Sequence, residues 1–271
     1  MGKGRIGYAL GGGGARGTAH IGVLKVLEEH GIFPDVVAGT SVGALVGALY
    51  AYGLRPADLE KLALQLSWRE LGRFTDLTVP RSGLVRGKRI MTRLKSILGD
   101  IRFSDLKIPF LCVATDIITG EEVLLREGLV ADAVRASISV PGLMMPIRLE
   151  GRYLVDGGLV NQVPARTCRQ IGAEYIISVN VAPNPVAVPS TRKAVRRETE
   201  ESRQKAPSLV KVLLQASLIS GYRQAMQDLE YSDLVISPPV GDIGLFEFNR
   251  AAQAIAVGEE ATRRALKQVG L

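Results

Sequence analysis

Two short segments carry residue types and spacings that could do chemistry. Gly39-Thr40-Ser41-Val42-Gly43 has the form G-x-S-x-G. Small flanking residues there let a serine occupy a strained strand-to-helix turn with its hydroxyl presented outward. Upstream, Gly11-Gly12-Gly13-Gly14-Ala15-Arg16-Gly17 also falls between an expected strand and an expected helix, and offers bare backbone N–H groups to an anion. Arg16 stands at the first turn of that helix, where a cation opposes the macrodipole by roughly 0.3–1 kcal/mol, so an anion nearby would account for it. A serine nucleophile beside an anion cradle suggests acyl transfer through an oxyanion intermediate.

Each segment has a rival reading. Ser41 could simply cap an ordinary βα turn. Gly12 to Gly17 also fits G-x-G-x-x-G, with Asp35 near the distance of a ribose-binding acid, although Asp35 precedes the second strand instead of ending it. A Walker A loop is excluded because Thr18 stands where the lysine belongs. Both motifs occurring together favours acyl transfer over dinucleotide binding.

A hydrolase triad would place an acid and then a histidine after the nucleophile. No histidine follows Ser41. His30 ends the first expected helix, where the dipole explains it, and His20 lies one turn inside that helix as a structural or supporting residue. The base must then be a carboxylate, a lysine or a water relay. Asp156 is the best candidate: it ends an expected strand, Tyr153 to Val155, and Gly157-Gly158 keep other side chains away from it. Asp116 in Ala114-Thr115-Asp116 is a weaker one.

The elements that must hold these residues alternate strand and helix. Arg5–Leu10, Val36–Ala38 and Tyr175–Val181 read as buried strands. Phe110–Ile117 with Glu121–Arg126, and Ile147–Glu150 with Arg152–Val155, read as hairpins around Thr119-Gly120 and Gly151. Helices are expected over Gly17–His30, Ser41–Tyr52, Pro56–Leu66, Gly87–Leu98 and Pro164–Ile171. Later come a long amphipathic helix over Ser208–Leu229, a last strand over Leu234–Ser237 and a closing helix over Asn249–Lys267. Such alternation predicts an α/β fold with a mostly parallel central sheet covered on both faces. One domain over 1–271 is expected: a core over 5–181, a charged loop or flap over 182–207, and a helical C-terminal part, 208–271, packed on the core.

Composition narrows the partners. A hydrophobic content of 46% suffices for a sizeable core. The longest nearly uninterrupted apolar stretch, Val42 to Leu54, is too short to span a bilayer. Met1 to Arg5 leads straight into a strand, so no signal peptide is expected, and Ile6 breaks the myristoylation pattern after Met1-Gly2. The expected location is cytoplasmic, peripheral to membrane at most. Cys112 and Cys168 have no ligand spacing, and with two histidines in the chain neither a metal nor a cofactor is expected. A net charge of +7 suits an anionic membrane; no nucleic-acid motif accompanies it, so no nucleic-acid partner is expected.

Taken in order, the glycine loop, the Ser41 elbow, Ala136-Ser137-Ile138-Ser139-Val140-Pro141-Gly142 and Asp156-Gly157-Gly158 resemble the patatin-like phospholipase family, bacterial branch. Val113-Ala114-Thr115-Asp116 and Thr119-Gly120-Glu121 look like further signatures, and the resemblance covers about Arg5 to Val181. It implies a three-layer α/β/α sandwich, with Ser41 as nucleophile and Asp156 as base in a dyad. It also implies an oxyanion hole from the N–H groups near Gly12, Gly13 and Gly14, with Arg16 close by. Lipid esters are the substrate it implies, and a catalytically silent lipid-binding or regulatory protein on the same fold is the alternative. The apolar residues Leu209 to Leu214, with Leu218 and Ile219, would then rim an acyl pocket or touch a bilayer; the plainer reading is a helix that covers the sheet.

Overall fold

A computed structural model of the chain describes residues 4–65, 85–182 and 206–271. The segment expected as a charged flap lies, apart from its ends, outside these residues. Four runs rich in β-branched and other apolar residues become the interior of one sheet: β1 (Ile6–Leu10), β2 (Val36–Thr40), β3 (Phe110–Asp116) and β7 (Tyr175–Val179). Continuous apolar character is what a parallel sheet buried on both faces requires. The parallel ladder runs β8 (Leu234–Ile236), β7, β1, β2, β3. β4 (Glu122–Leu125) and β6 (Arg152–Asp156) pair antiparallel with β3, and β5 (Ile147–Leu149) pairs antiparallel with β6.

Side chains alternate between two apolar layers, as the strand period of two demands. Tyr8, Leu10, Val37, Phe110, Cys112, Ala114, Ile177 and Val179 face one. Ala9, Val36, Ala38, Leu111 and Ile176 face the other. The first face is covered by α1 (Ala19–Glu29), α2 (Val42–Tyr52), α3 (Pro56–Gln65), α4 (Lys88–Leu98), α5 (Val130–Ser137) and α8 (Ala251–Gln268). The second is covered by α6 (Ala165–Gln170) and the end of α7 (Leu209–Asp228). This is the expected α/β/α sandwich with a mostly parallel sheet. In α2 most residues are buried, so it is apolar almost all round, whereas α8 buries Ala251, Ala254, Ile255, Gly258, Ala261, Thr262, Ala265 and Leu266 along one stripe.

Most expected elements appear within a residue or two. The expectation of one helix from Gly17 splits into a 3₁₀ turn over Gly14–Thr18 followed by α1. The helix α5 had no sequence expectation at all.

Strand β3 acts as a ruler for the site. Val113 stands opposite Thr40 of β2, and the next residue, Ala114, opposite Asp156 of β6. Strand β4 pairs with Cys112 to Thr115, occupying the other edge of β3 over the same span. A strand has two edges, so β2 and β6 share one, with their C-terminal ends meeting head to head. The register alone therefore brings Ser41 to Asp156 across 115 residues of sequence.

Candidate active site

Ser41 links β2 to α2 with φ 54 and ψ −123, a backbone state that costs a non-glycine residue about 1–3 kcal/mol. Several contacts hold it there. Its N–H donates to Ser137 Oγ at 2.7 Å. Its carbonyl accepts from the N–H of Ala44 at 2.9 Å and of Leu45 at 3.1 Å. Gly43 makes the tight turn possible, because a Cβ built there would lie 2.1 Å from the Leu10 carbonyl oxygen. The elbow of an 11-residue helix also places the positive end of the α2 dipole at the hydroxyl.

The Ser41 hydroxyl donates to Asp156 Oδ2 at 2.6 Å. The other carboxylate oxygen, Oδ1, accepts from the N–H of Gly158 at 2.8 Å. The strand end is fixed by the Asp156 N–H, which donates to Ser139 O at 3.0 Å, and by Thr115 Oγ1, which donates to Asp156 O at 2.9 Å. Burial pushes the Asp156 carboxyl up to about 6, against the pull of the hydrogen bonds from Ser41 and Gly158. A carboxylate near 6 is still ionised at neutral pH yet holds a proton more readily than an ordinary aspartate.

The glycine loop passes directly over this pair, since a Cβ on Gly12 would stand 3.2 Å from Ser41 Cβ. Its amides are not equivalent. Gly11 N–H donates to Val179 O and Gly12 N–H to Gln162 O, each at 3.0 Å, and Ala15 N–H donates to Leu245 O at 2.9 Å. Among the described residues no acceptor engages the N–H of Gly13 or Gly14. Of the three expected donors, Gly12 already gives its hydrogen to Gln162 O, and the unengaged pair is Gly13 and Gly14.

Arg16 is buried and turns to the far side of the loop, where its Nε donates to Ile243 O at 2.6 Å. Burial pulls its pKa down, while Glu247 and Asp242 pull it up. His20 is fully buried; its Nε2 lies 2.7 Å from Gly11 O and burial lowers its pKa to about 4, so the neutral ring donates to that carbonyl. His30 Nδ1 lies 2.8 Å from Val26 O, a helix-end contact. Asp116 caps the β3–β4 turn by accepting from Ile118 N–H at 2.9 Å and lies 3.7 Å from Arg152, which removes it as a rival base. Asp35, the rival ribose ligand, accepts from the N–H of Ile6 at 2.7 Å and anchors the start of β1.

Sequence reasoning did not single out Gln162, whose Nε2 donates to Gly12 O at 2.7 Å. Ser137 and Ser139 have no assigned task in the sequence reading: Ser137 serves the elbow through its hydroxyl, whereas Ser139 serves the end of β6 through its backbone carbonyl, which any residue would offer. Asn161 links the elbow to the second face, its carbonyl accepting from Thr40 Oγ1 at 2.8 Å. Among the described residues no group of His, Cys, Asp and Glu could hold a metal ion. No helix among them is long and apolar enough to cross a membrane.

A family model described as patatin-like phospholipase matches residues 8–169. An uncharacterized NTE family protein of Mycobacterium tuberculosis is 33% identical over 276 residues, covering 97% of this chain and 46% of its own length. Lysophospholipase NTE1 of Saccharomyces cerevisiae is 39% identical over 182 residues, which is 65% of this chain and 11% of the yeast protein. The crystal structure of VipD from Legionella pneumophila superposes with a TM-score of 0.62 at 15% identity, covering 98% of this chain and 67% of that one. The chain thus spans about half the length of the mycobacterial relative, and far less of the yeast one.

Proposed function

The chain belongs to the patatin-like phospholipase family, and from that premise we propose that it hydrolyses lipid acyl esters through a Ser41–Asp156 dyad. The observation that carries this reading is the 2.6 Å hydrogen bond from the Ser41 hydroxyl, on its strained elbow, to a buried carboxylate. Asp156 Oδ2 takes the hydroxyl proton as Ser41 Oγ adds to the ester carbonyl carbon. The oxyanion formed accepts hydrogen bonds from the free N–H groups of Gly13 and Gly14. Such a donor contributes roughly 10²–10³ in kcat. Arg16 buttresses the loop and sets a positive potential behind it. On collapse the proton passes from Asp156 to the departing alcohol. Water then gives Asp156 a proton while its oxygen attacks the acyl-enzyme, and Ser41 leaves protonated.

A lipid substrate is supported by the family and by the name of the yeast relative. The N-terminal half of α7 supports peripheral contact with an anionic membrane. Leu209, Val212, Leu213 and Ile219 are exposed there, and Leu213 packs beside Gly142, three residues from the Ser139 that holds Asp156. The test is covalent labelling with a fluorophosphonate followed by peptide mapping, alongside hydrolysis of a lysophospholipid and a short-chain ester. Labelling at Ser41, with turnover abolished in Ser41→Ala, is the expected result. A folded chain that binds lipid vesicles but neither labels nor turns over an ester would overturn it in favour of a silent binder.

A further inference from the structure

A run of four glycines has more backbone freedom than any other tetrapeptide, so an oxyanion donor placed on it is only as good as whatever immobilises it. The peptide groups before Gly13 are all engaged. Gly11 is held at its N–H by Val179 O and at its carbonyl by His20. Gly12 is held at both its N–H and its carbonyl by one residue, Gln162: the N–H donates to the Gln162 carbonyl at 3.0 Å, and the Gln162 side-chain Nε2 donates to the Gly12 carbonyl at 2.7 Å.

The same side chain reaches the turn that follows the base. A Cβ on Gly158 would lie 2.2 Å from Gln162 Oε1, and one on Gly221 of α7 would lie 3.1 Å from it. A Cβ on Gly12 would lie 3.1 Å from Gln162 Nε2. Gly12, Gly158 and Gly221 therefore open a slot that the Gln162 carboxamide fills. Gly158 is also the residue whose N–H holds Asp156 Oδ1 at 2.8 Å. One half-buried glutamine thus sits between the donor loop and the turn that orients the base.

Resting on the dyad reading above, we propose that Gln162 is a positioning residue. It sets the Gly13 and Gly14 amides against the carbonyl being attacked and keeps that loop in register with Asp156, while touching no reacting atom itself. Two consequences separate this from a packing role. Its effect belongs to the chemical step, so kcat falls while KM holds. It also depends on a donor at the Gly12 carbonyl, which an ionised carboxylate cannot supply and a protonated carboxyl can.

The experiment compares Gln162→Leu and Gln162→Glu with the unchanged chain on one short-chain ester, with active sites counted by fluorophosphonate titration. Gln162→Leu is expected to lose about tenfold to a hundredfold in kcat, the scale of a small misplacement, with KM within about threefold. For Gln162→Glu, the ratio of its kcat to that of the unchanged chain is expected to climb as pH falls from about 8 to about 5, as the introduced carboxyl takes up its proton. The Leu variant's ratio stays flat over that range. If Gln162→Leu fails to fold, the slope of the Glu ratio decides alone. An active unchanged chain with Gln162→Leu at full kcat, or with a Glu ratio that does not move with pH, overturns the inference and leaves the dyad standing. An unchanged chain with no Ser41-dependent turnover overturns the dyad, and this inference with it.

Discussion

Asp156 and Asp228 are both buried, and in both burial pushes the carboxyl up to about 6. They end different elements, β6 and α7. At Asp156 both oxygens are engaged, one by a hydroxyl that can give up its proton and one by a fixed amide. At Asp228, Arg166 stands 3.7 Å from Oδ1, and among the described residues Oδ2 is buried without a hydrogen-bond partner. Arg166 in turn contacts Glu122, whose negative charge raises Asp228 further. A perturbed acidity therefore does not distinguish the two. What does is the hydroxyl of Ser41, whose oxygen stands 2.6 Å away, beside a loop with spare donors. Burial raises both carboxyls; register brings only Asp156 to a hydroxyl.

The largest effect that would break this contrast is on Asp156. Asp156→Asn is expected to cut kcat by about 10²–10⁴-fold, the range of a positioned general base, with Ser41 still present. Asparagine can accept from Gly158 N–H and donate to Ser41 Oγ, so the fold keeps both contacts. It also removes a charge that burial disfavours. An acid whose folded pKa lies above its unfolded value contributes stability that is full at low pH and is lost as pH rises from about 4 through about 6. At pH 7 the variant is expected to gain up to about 3 kcal/mol, from a shift of about two pKa units at 1.36 kcal/mol each. Denaturant unfolding at pH 7 and at pH 4 checks the sign: the gain should shrink at the lower pH. Loss of activity with loss of stability would make Asp156 a structural acid.

The pH profile sharpens the comparison further. In the unchanged chain kcat/KM is expected to rise with pH through about 6, as Asp156 loses its proton and becomes able to accept that of Ser41. His20 cannot supply that limb: its burial lowers its pKa to about 4, so it is already neutral where the limb rises near 6. A limb centred near 7, or absent down to pH 4, would assign the base elsewhere.

How much of this was legible in the sequence follows the same division. The Ser41 elbow was legible because a strained turn needs glycines at two fixed positions, and Asp156 stood out as its candidate partner because it ends a strand before two glycines and no histidine follows Ser41. The strands and most helices were legible from their apolar periodicity. Helix α5 was not, because eight residues make barely two turns, with three alanines among them and no cap at Leu129. That hid the task of Ser137. Gln162 was illegible for a different reason: its partner Gly12 lies 150 residues away, and nothing local to Asn161-Gln162-Val163 marks it. Gly12 itself looked like a free donor because sequence shows which amides lack side chains, not which already have acceptors. Contacts set by β3 register are tertiary facts, and the residues they employ carry no signature of their own.

The smallest expected effect is the one that tests the contrast from the other side. Asp228→Asn should leave kcat within about twofold, because among the described residues Asp228 has no side-chain hydrogen bond to a site residue, and a link through Arg166, Glu122 and Asn161 to Thr40 keeps all its other members. Its stability should nonetheless respond to pH in the same direction as that of Asp156→Asn. The unchanged chain loses stability between about pH 4 and about pH 6 as both acids ionise against burial, and each variant removes one share of that loss. The two shares are similar in size, since both carboxyls sit near 6, the pull of Arg166 on Asp228 already included. Melting temperatures of both variants across that window, set beside their kcat/KM profiles, separate the two roles. The activity limb near 6 must vanish with Asp156 and survive the loss of Asp228. If it moved in Asp228→Asn as well, the two acids would titrate as a coupled pair, and the local account of the base would fail.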